Sequence, residues 1–224
     1  MSLRIADGVH TSDGFRPFVK LDAYGSALKA EAESWVTPDA GLEDKLLRER
    51  IRHPQLIRDL LLDKLPTHRW DILEVGGGPL PVSDLLPFRS RVVVDPCTDD
   101  YRAIVPCPDH ITAEIETYAG PQADLIISTN SLDHVRSPSL ALARIKQHVK
   151  PGGYVAIFCN TNNAIHHKHP SHIHNLTVND IHHAFDDDFE TVWERDDLRY
   201  GWVKVDGRRG QPAFAILLRG CVFS

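Results

Sequence analysis

The sequence predicts an α/β fold in which a mostly parallel sheet of seven strands is flanked by helices. Three observations lead to this prediction. Short apolar segments rich in Val, Ile and Leu alternate with segments of helical periodicity, as in parallel sheets covered on both faces. A run of glycines follows the first apolar segment directly. The last two apolar segments follow one another as a closing pair of strands.

Composition and charge limit the classes of function. The 224 residues fit one domain with an N-terminal extension, and the net charge of −6 disfavours sequence-independent binding to nucleic acid. No uncharged apolar stretch is long enough to cross a bilayer, and Met1–His10 lacks the apolar core of a signal peptide. The four cysteines are scattered without a CxxC pair, which indicates idle thiols in a reducing compartment. We therefore expect a cytoplasmic protein without a membrane partner, for which nucleic acid is a disfavoured partner.

The chain divides at about residue 66. Residues 1–66 form the predicted N-terminal helical extension or lid, with helical composition over Ser26–Val36 and apolar periodicity over Leu42–Leu65. Residues 67–224 form the predicted main domain. Helical patterns begin at Val82 and cover Leu140–Val149 and Val178–Phe185. The seven predicted strands are Trp70–Val75, Arg91–Val94, His110–Ile115, Ala123–Ser128, Tyr154–Phe158, Glu190–Glu194 and Ala213–Leu218.

The most informative segment is Asp71–Leu86, which reads DILEVGGGPLPVSDLL. A strand passes directly into three glycines and then into a helical pattern. Glycine permits a tight turn and lets a ligand approach the backbone, and a helix start offers unpaired N–H groups. Taken alone, such a loop is equally consistent with a plain turn between a strand and a helix.

Polar residues at the ends of the other strands narrow that choice. Asp95 ends the second strand about 20 residues after the glycines, where an acidic side chain accepts hydrogen bonds from a ribose diol. Glu114 and Asn130 follow the third and fourth strands. Ligands bind at the carboxyl ends of the strands in such sheets. The pattern therefore predicts a site for an adenosine-containing cofactor.

Four segments together resemble class I S-adenosylmethionine-dependent methyltransferases, which have a Rossmann-like fold. DILEVGGG at Asp71–Gly78 is similar to their first motif, and Asp95 matches the acidic residue after their second strand. ADLIISTNSLDHV at Ala123–Val135 and LARIKQHVKPGGYVAIF at Leu142–Phe158 are similar to their fourth strand and to the helix, turn and fifth strand that follow. All four segments occur in the order and at the spacings of that family.

The resemblance implies S-adenosylmethionine as the cofactor. It places the amino-acid part beside the first strand and the glycines, the ribose on the acidic residue after the second strand, the adenine after the third strand and the methionine end after the fourth. The implied cofactor-binding residues are Glu74, Gly76, Gly77, Gly78, Asp95, Glu114, Ile115, Asn130 and Ser131.

The glycine loop departs from the family pattern in one respect. It reads GGGPLP, so that Pro79 replaces a flexible residue and Leu80 stands at the usual third glycine. The departure bears on cofactor affinity, although proline is tolerated where a helix begins. The same letters argue against a nicotinamide-dependent dehydrogenase, since Pro81 stands where GxGxxG requires its last glycine.

The segment after the fourth strand bears on the methyl acceptor. Thr129–Asp133 lacks the Asp/Asn-Pro-Pro-Tyr motif of amino methyltransferases that act on adenine or glutamine. The resemblance therefore implies a small-molecule acceptor, with a hydroxyl of a sugar or natural product as our first expectation. Methylation of RNA or protein, and a catalytically inactive partner protein with the same fold, are the alternatives. The sequence does not indicate an oligomeric state.

Histidines supply the candidate catalytic groups. Five of them lie in the loop after the fifth strand, which reads HHKHPSHIHN. One of them could be a general base, several could bind a transition metal, or all could be exposed loop residues. Related enzymes place a His-Pro-x-His stretch here, so the resemblance favours His169 and His172 as bases, with His134 bordering the active site. We expect no metal.

Overall fold

A computed structural model describes residues 21–36, 55, 57–103, 105–161, 170–205 and 208–222 of the chain. The described part forms one sheet with helices on both faces. None of its helices combines the length and the apolar composition needed to cross a membrane. The predicted helix over Leu42–Leu65 lies partly outside the described residues, which show its later portion as helix over 57–64.

The sheet contains seven strands in the spatial order β3-β2-β1-β4-β5-β7-β6. The first five pair in parallel, while β7 is antiparallel to β5 and to β6. This arrangement confirms the prediction of a seven-stranded, mostly parallel sheet with a closing strand pair. The strands are β1 (Trp70–Val75), β2 (Phe88–Val94), β3 (His110–Ile111), β4 (Ala123–Thr129), β5 (Val149–Asn160), β6 (Phe189–Val205) and β7 (Arg208–Gly220).

Strand lengths differ from the predictions at both edges of the sheet and in β5, which spans Val149–Asn160 where Tyr154–Phe158 was predicted. β3 is shorter than predicted, because it pairs with β2 only at Val93 and Val94. The strands β6 and β7 are longer, because they continue as a two-stranded ribbon out to the pair Val205–Arg208. Their extra residues pair through backbone hydrogen bonds and do not form a continuous apolar run, so an apolar pattern does not reveal them.

The helices are α1 (Leu21–Val36), α2 (57–64), α3 (Thr98–Tyr101), α4 (Pro138–His148) and α5 (Val178–Phe185). The predicted helix beginning at Val82 is wrong: the structure has a single 3-10 turn, Val82–Leu85. Pro87 explains this ending. It cannot donate an N–H, and it keeps the preceding Leu86 in an extended conformation at φ −107° and ψ 151°.

Alternating side chains of the strands build a core on each face of the sheet. In β4, Leu125 and Ile127 point to one face and Ile126 to the other, and all three are fully buried. Helices α4 and α5 cover the face of Ile126, while α2 covers the opposite face. The two cores hold the parallel strands in register, so that their carboxyl ends meet at one edge.

Helix α1 belongs to a third, smaller cluster. Ala32 packs with Cys97, Tyr101 and Cys107 around α3, and the Trp35 ring meets Tyr101 edge-on with 5.8 Å between ring centroids. Because α3 begins three residues after Asp95, this packing brings α1 to the carboxyl edge of the sheet. The four cysteines are free thiols, and burial raises the pKa of the Cys97 thiol to about 12.

Candidate functional site

A cavity of about 430 Å³ lies at the carboxyl ends of β1, β2 and β4, beneath α1. Strand β1 stands between β2 and β4. The chain runs from β1 to β2 and β3 on one side and then crosses to β4 on the other side, so the strand order reverses at this point. Such a switch point is where ligands bind in open α/β sheets. All nine sequence-predicted cofactor residues line the cavity, together with His134 and His172. His169 lies outside the described residues.

The glycine loop has little room for any side chain. Gly76 and Gly78 have φ values of +66° and +58°, which favour glycine. A Cβ on Gly76 would lie 2.2 Å from the Cβ of Ser131, and one on Gly77 would lie 2.6 Å from a methyl carbon of Val93. The loop therefore presents bare backbone to the cavity, as close approach of a ligand requires.

Glu74 lies beneath this loop and is almost fully buried. Its two oxygens accept hydrogen bonds from the backbone N–H groups of Val82 and Ser83, each at 2.8 Å. Burial raises the pKa of the Glu74 carboxyl, and these hydrogen bonds oppose the rise. Glu74 thus ties the end of β1 to the 3-10 turn that follows the glycines, in addition to lining the cavity.

Asp95 reaches the cavity from the end of β2. One carboxylate oxygen accepts the Gly78 N–H at 3.0 Å and the other accepts the Cys97 N–H at 2.9 Å. Burial raises the pKa of Asp95, against the effect of these two donors. A carboxylate oxygen accepts more than one hydrogen bond. Asp95 is therefore oriented by the backbone and can bind a pair of hydroxyl donors.

Glu114 and Ile115 form the cavity wall after β3. The Glu114 carboxylate is paired with Arg136 at 2.6 Å, and the Arg136 guanidinium lies over the Tyr24 ring at 5.1 Å. Ile115 is buried and belongs to the apolar core. The wall thus combines a neutralised charge with an apolar side chain, which suits a flat heterocycle better than an ion.

Asn130 and Ser131 connect the ends of three strands. The Asn130 N–H donates to the Phe158 carbonyl at 2.6 Å, and its side-chain oxygen accepts from the Asn160 N–H at 3.2 Å. The Ser131 hydroxyl donates to the Val75 carbonyl at 2.8 Å. Asn130 has a φ of +50°, one of two positive values among described non-glycine residues. The turn after β4 is therefore held against β1 and β5.

Two histidines and two carboxylates meet on the cavity wall, and we call them the histidine–carboxylate cluster: Glu31, Asp133, His134 and His172. The Nδ1 of His172 lies 2.6 Å from one Asp133 oxygen, and the Nε2 of His134 lies 3.4 Å from the other. The Nδ1 of His134 lies 3.4 Å from Glu31 Oε2. Asp133 is completely buried.

The cluster changes the protonation of its members. Burial would lower the pKa of His134, but Asp133 and Glu31 outweigh it and raise the pKa above its usual value. Burial opposes the charge of Glu31, yet His134 and the hydrogen bonds from Trp35 and Ser171 lower its pKa. Both directions favour the charged forms of His134 and Glu31.

His174 differs from the two cluster histidines. It is buried, and its Nε2 lies 2.9 Å from the Val135 carbonyl oxygen, to which it donates. Burial lowers the pKa of His174. This histidine therefore holds the loop after β5 against the turn after β4, and it does not line the cavity.

The geometry also bears on the metal alternative. Asp133, His134 and His172 each offer one ligand atom, and these atoms lie within 4.8 Å of one another. Two ligands bound at roughly 2.1 Å to one ion lie about 3 Å or more apart. The 2.6 Å separation between Asp133 and His172 is shorter, which favours a shared proton at that position.

Glu31 was missed by the sequence reasoning. It lies in α1, whose helical composition gave no sign of which side chain would face a cavity. The only hints at this helix were Tyr24 and Trp35, aromatic residues expected in a lid or side wall, and both line the cavity.

The fold is shared with solved methyltransferases. A methyltransferase solved with the Trm112 activator of Haloferax volcanii has a TM-score of 0.62 at 15% identity, covering 89% of this chain and 98% of that one. NodS, an N-methyltransferase of Bradyrhizobium japonicum in complex with S-adenosylhomocysteine, has a TM-score of 0.60 at 16% identity, covering 88% and 98%. The 1,6-didemethyltoxoflavin-N1-methyltransferase of Burkholderia thailandensis, with its substrate and S-adenosylhomocysteine, has a TM-score of 0.60 at 15% identity, covering 92% of both chains.

No curated protein sequence matches this chain. A family model described as a methyltransferase domain matches residues 46–199, which is more than half of the chain. The matched range includes the glycine loop, Asp95 and three of the four cluster residues, but it excludes Glu31 in α1. The chain therefore belongs to the methyltransferase-domain family, whose cofactor is S-adenosylmethionine.

Proposed function

We propose that the protein transfers the methyl group of S-adenosylmethionine to a hydroxyl of a small molecule. The observation that carries this proposal is the composition of one cavity. Its wall at the ends of β1 and β2 offers bare glycine backbone and Asp95, and its wall after β4 and β5 offers an imidazole oriented by a buried carboxylate.

The residues of the first wall fit the cofactor. The glycine backbone that a Cβ would obstruct suits the amino-acid part, and the two oxygens of Asp95 suit the two ribose hydroxyls. Ile115 provides an apolar surface for the adenine, with Glu114 neutralised by Arg136. When bound, S-adenosylmethionine supplies an activated methyl group on a sulfonium sulfur, which keeps the electron pair of the broken S–C bond.

The second wall accepts the proton of the acceptor. Methyl transfer to a hydroxyl forms an O–C bond and releases the hydroxyl proton. The hydrogen bond between Asp133 and Nδ1 of His172 sets the tautomer, so that Nε2 is the basic nitrogen. We assign His172 as the general base and His134 as its neighbour, at 4.5 Å between ring centroids. His169 stays a prediction.

The position of α1 over the cavity favours a small acceptor. The cavity is covered by α1, through which Tyr24, Leu28 and Trp35 contribute to its lining. We also propose that residues 1–66, the predicted N-terminal extension, select the acceptor. Two of the similar structures are named as N-methyltransferases, so a nitrogen acceptor is the second candidate. Cytoplasmic location stays a prediction from the cysteine pattern.

Calorimetric titration with S-adenosylmethionine and S-adenosylhomocysteine tests the cofactor site, with NAD as the negative control. Saturable binding of both sulfur compounds and none of NAD is expected. Absence of binding would contradict an active enzyme and would favour a partner protein that only shares the fold. Asp71→Asn, at the opposite end of β1, is the matched control for variants at the site.

A panel of hydroxyl and amine compounds, followed by formation of S-adenosylhomocysteine, then tests the acceptor. His172→Asn should lower turnover of a hydroxyl compound by about 100-fold or more, the usual contribution of a general base. Binding of S-adenosylhomocysteine should persist in this variant. If only amines are methylated, the acceptor is a nitrogen and the hydroxyl proposal is wrong. If only RNA or protein is methylated, the proposal of a small-molecule acceptor is wrong.

A further inference from the structure

Glu31 joins α1 to both walls of the cavity. Its Oε1 accepts a hydrogen bond from the Trp35 ring N–H at 2.8 Å, and the Ser171 hydroxyl also hydrogen-bonds to it. The Trp35 ring in turn packs against the glycine loop, where a Cβ on Gly78 would lie 3.2 Å from it. One carboxylate therefore contacts groups beside the cofactor wall and beside the proposed base.

The histidine–carboxylate cluster is a chain in which carboxylates and imidazoles alternate. It runs from Glu31 to His134, then to Asp133 and finally to His172. Neither ring nitrogen of His134 makes a hydrogen bond within the described residues; each instead lies 3.4 Å from a carboxylate oxygen. At that distance the attraction is mainly between charges, and it is strongest when His134 carries a proton.

The other charged groups around His134 also favour a proton on its ring. A third carboxylate acts on it from the end of β2, and two imidazoles lie in the loop after β5. The titratable groups that face His134 are Glu31 on α1, Asp133 in its own turn, Asp95 after β2, and His172 and His174 after β5. The surroundings are therefore predominantly negative.

We propose that Glu31 is a positioning residue that keeps the resident proton of the cluster on His134 and thereby leaves His172 as the proton acceptor. This inference rests on the proposed function, which assigns the base to His172. With Asp133 alone, a single proton could reside on either imidazole, because each lies beside one oxygen of the same carboxylate. Glu31 gives His134 a second carboxylate.

The arrangement also suits the reaction. With His134 protonated, two carboxylates and one imidazolium leave one net negative charge in the cluster. The proton that leaves the acceptor oxygen passes to Nε2 of His172, and the cluster becomes neutral. A buried site favours that direction, because an uncompensated charge is costly there. Since Glu31 lies on α1, the cluster depends on the packing of α1 over the cavity.

The test is a titration of the histidine rings by ¹⁵N NMR in the full chain, with and without S-adenosylhomocysteine. His134→Asn and His172→Asn assign the two signals. Glu31→Gln removes the charge and keeps an oxygen for the Trp35 N–H. The control is Glu33→Gln on the same helix, since Glu33 is exposed and lies 3.7 Å from Lys29.

In the unmodified protein, His134 should be protonated at pH 7. Its titration midpoint should fall by about one pH unit or more in Glu31→Gln, because an opposite charge at this distance shifts a titration by that amount. Glu33→Gln should leave it in place. An unchanged midpoint in Glu31→Gln, or a neutral His134 at pH 7 in the unmodified protein, overturns the proposal.

Two further measurements distinguish a role of Glu31 in placing the proton from a merely structural role. The Trp35 ring N–H signal shows whether α1 stays packed in Glu31→Gln. If that signal moves, Glu31→Asp, which restores the charge, should restore a raised His134 midpoint, and failure to do so also overturns the proposal. If S-adenosylhomocysteine does not bind while His134 titrates as expected, the proposed function fails and the placement of the proton on His134 stands.

Discussion

The two ends of strand β1 hold carboxylates in opposite ways. At the amino end, Lys150 lies 2.7 Å from Asp71 and 2.9 Å from Asp124, and Arg89 also bonds to Asp71. At the carboxyl end, Glu74 and Asp95 accept hydrogen bonds from backbone N–H groups. At the amino end of β1, cations therefore hold Asp71 and the neighbouring Asp124. At its carboxyl end, backbone N–H groups hold Glu74 and the neighbouring Asp95.

The protonation of the two ends differs accordingly. Arg89 and Lys150 hold the pKa of Asp71 well below its usual range. Burial opposes the charge of Asp124, yet the backbone N–H of Asp71 and the Lys150 ammonium still lower its pKa. Burial instead raises the pKa values of Glu74 and Asp95. Cations satisfy the acids at the amino end, which therefore stabilise the fold, whereas the backbone only orients Asp95, which can still accept hydrogen bonds.

The largest effect is expected from Gly76→Ala at the carboxyl end. The new Cβ would lie 2.2 Å from the Cβ of Ser131 at a backbone φ of +66°. Overpacking and a left-handed alanine together should lower the free energy of unfolding by about 3 kcal/mol and abolish S-adenosylhomocysteine binding. Urea unfolding and calorimetry measure the two effects. Normal binding in this variant would contradict the close approach assigned to the loop.

Asp95→Ala should act on binding more than on folding. Loss of two hydrogen bonds to a carboxylate, at about 1.5 kcal/mol each, predicts S-adenosylhomocysteine binding weaker by about 100-fold. Asp71→Asn at the other end of β1 should leave the dissociation constant within about twofold, since its partners are cations distant from the cavity. Equal losses in the two variants would remove the distinction between the two ends.

Lys150→Met should act on folding and spare binding. Methionine keeps the aliphatic part of the side chain but removes the ammonium that bridges Asp71 and Asp124. We expect a loss of about 1 kcal/mol at pH 7, in line with partly exposed ion pairs. The carboxyl pKa values are lowered in the folded state, so this stability is fully present above the ordinary Asp value near 4 and is lost progressively as the pH falls from there through the lowered values.

Urea unfolding of the Lys150→Met variant and the unmodified protein at pH 7 and near pH 3 checks this dependence. The difference between the two proteins should shrink at the lower pH, because the two acids take up protons in the unfolded chain there, while their lowered pKa values keep them ionised longer in the folded protein. A difference that stays constant with pH would mean that the packing of the lysine stem, rather than its charge, stabilises the amino end.

The smallest effect is expected from Gly25→Ala, a glycine outside both ends of β1. Gly25 lies inside α1, and a Cβ there meets nothing within 4 Å. Alanine should therefore raise the free energy of unfolding by about 0.5–1 kcal/mol, through helix propensity alone. Thermal or urea unfolding measures this gain. A loss of stability would contradict this prediction, because it would mean that α1 requires glycine at this position although a Cβ there has free space.

Most of the sheet could be predicted because its determinants are local. The bounds of β1, the end of β2 and the start of β4 follow from apolar runs. The glycine loop, Asp95 and Asn130 come directly after β1, β2 and β4 in the chain. Parallel pairing then brings strand ends together without further information. The prediction of a helix after the glycine loop was wrong because Pro87 ends the turn there. Pro87 is a local signal, but the prediction gave more weight to the helical pattern that begins at Val82.

The sequence by itself therefore determined the fold class and the family, and it predicted nine cofactor-binding residues that line one cavity. Only the tertiary structure decided that Glu31 would join His134, Asp133 and His172, and that Arg136 would neutralise Glu114. The physical reason is the range of the interactions. Alternation and glycine turns act between neighbouring residues, whereas this cluster exists because α1 packs on α3 and because two turns meet at one edge of the sheet.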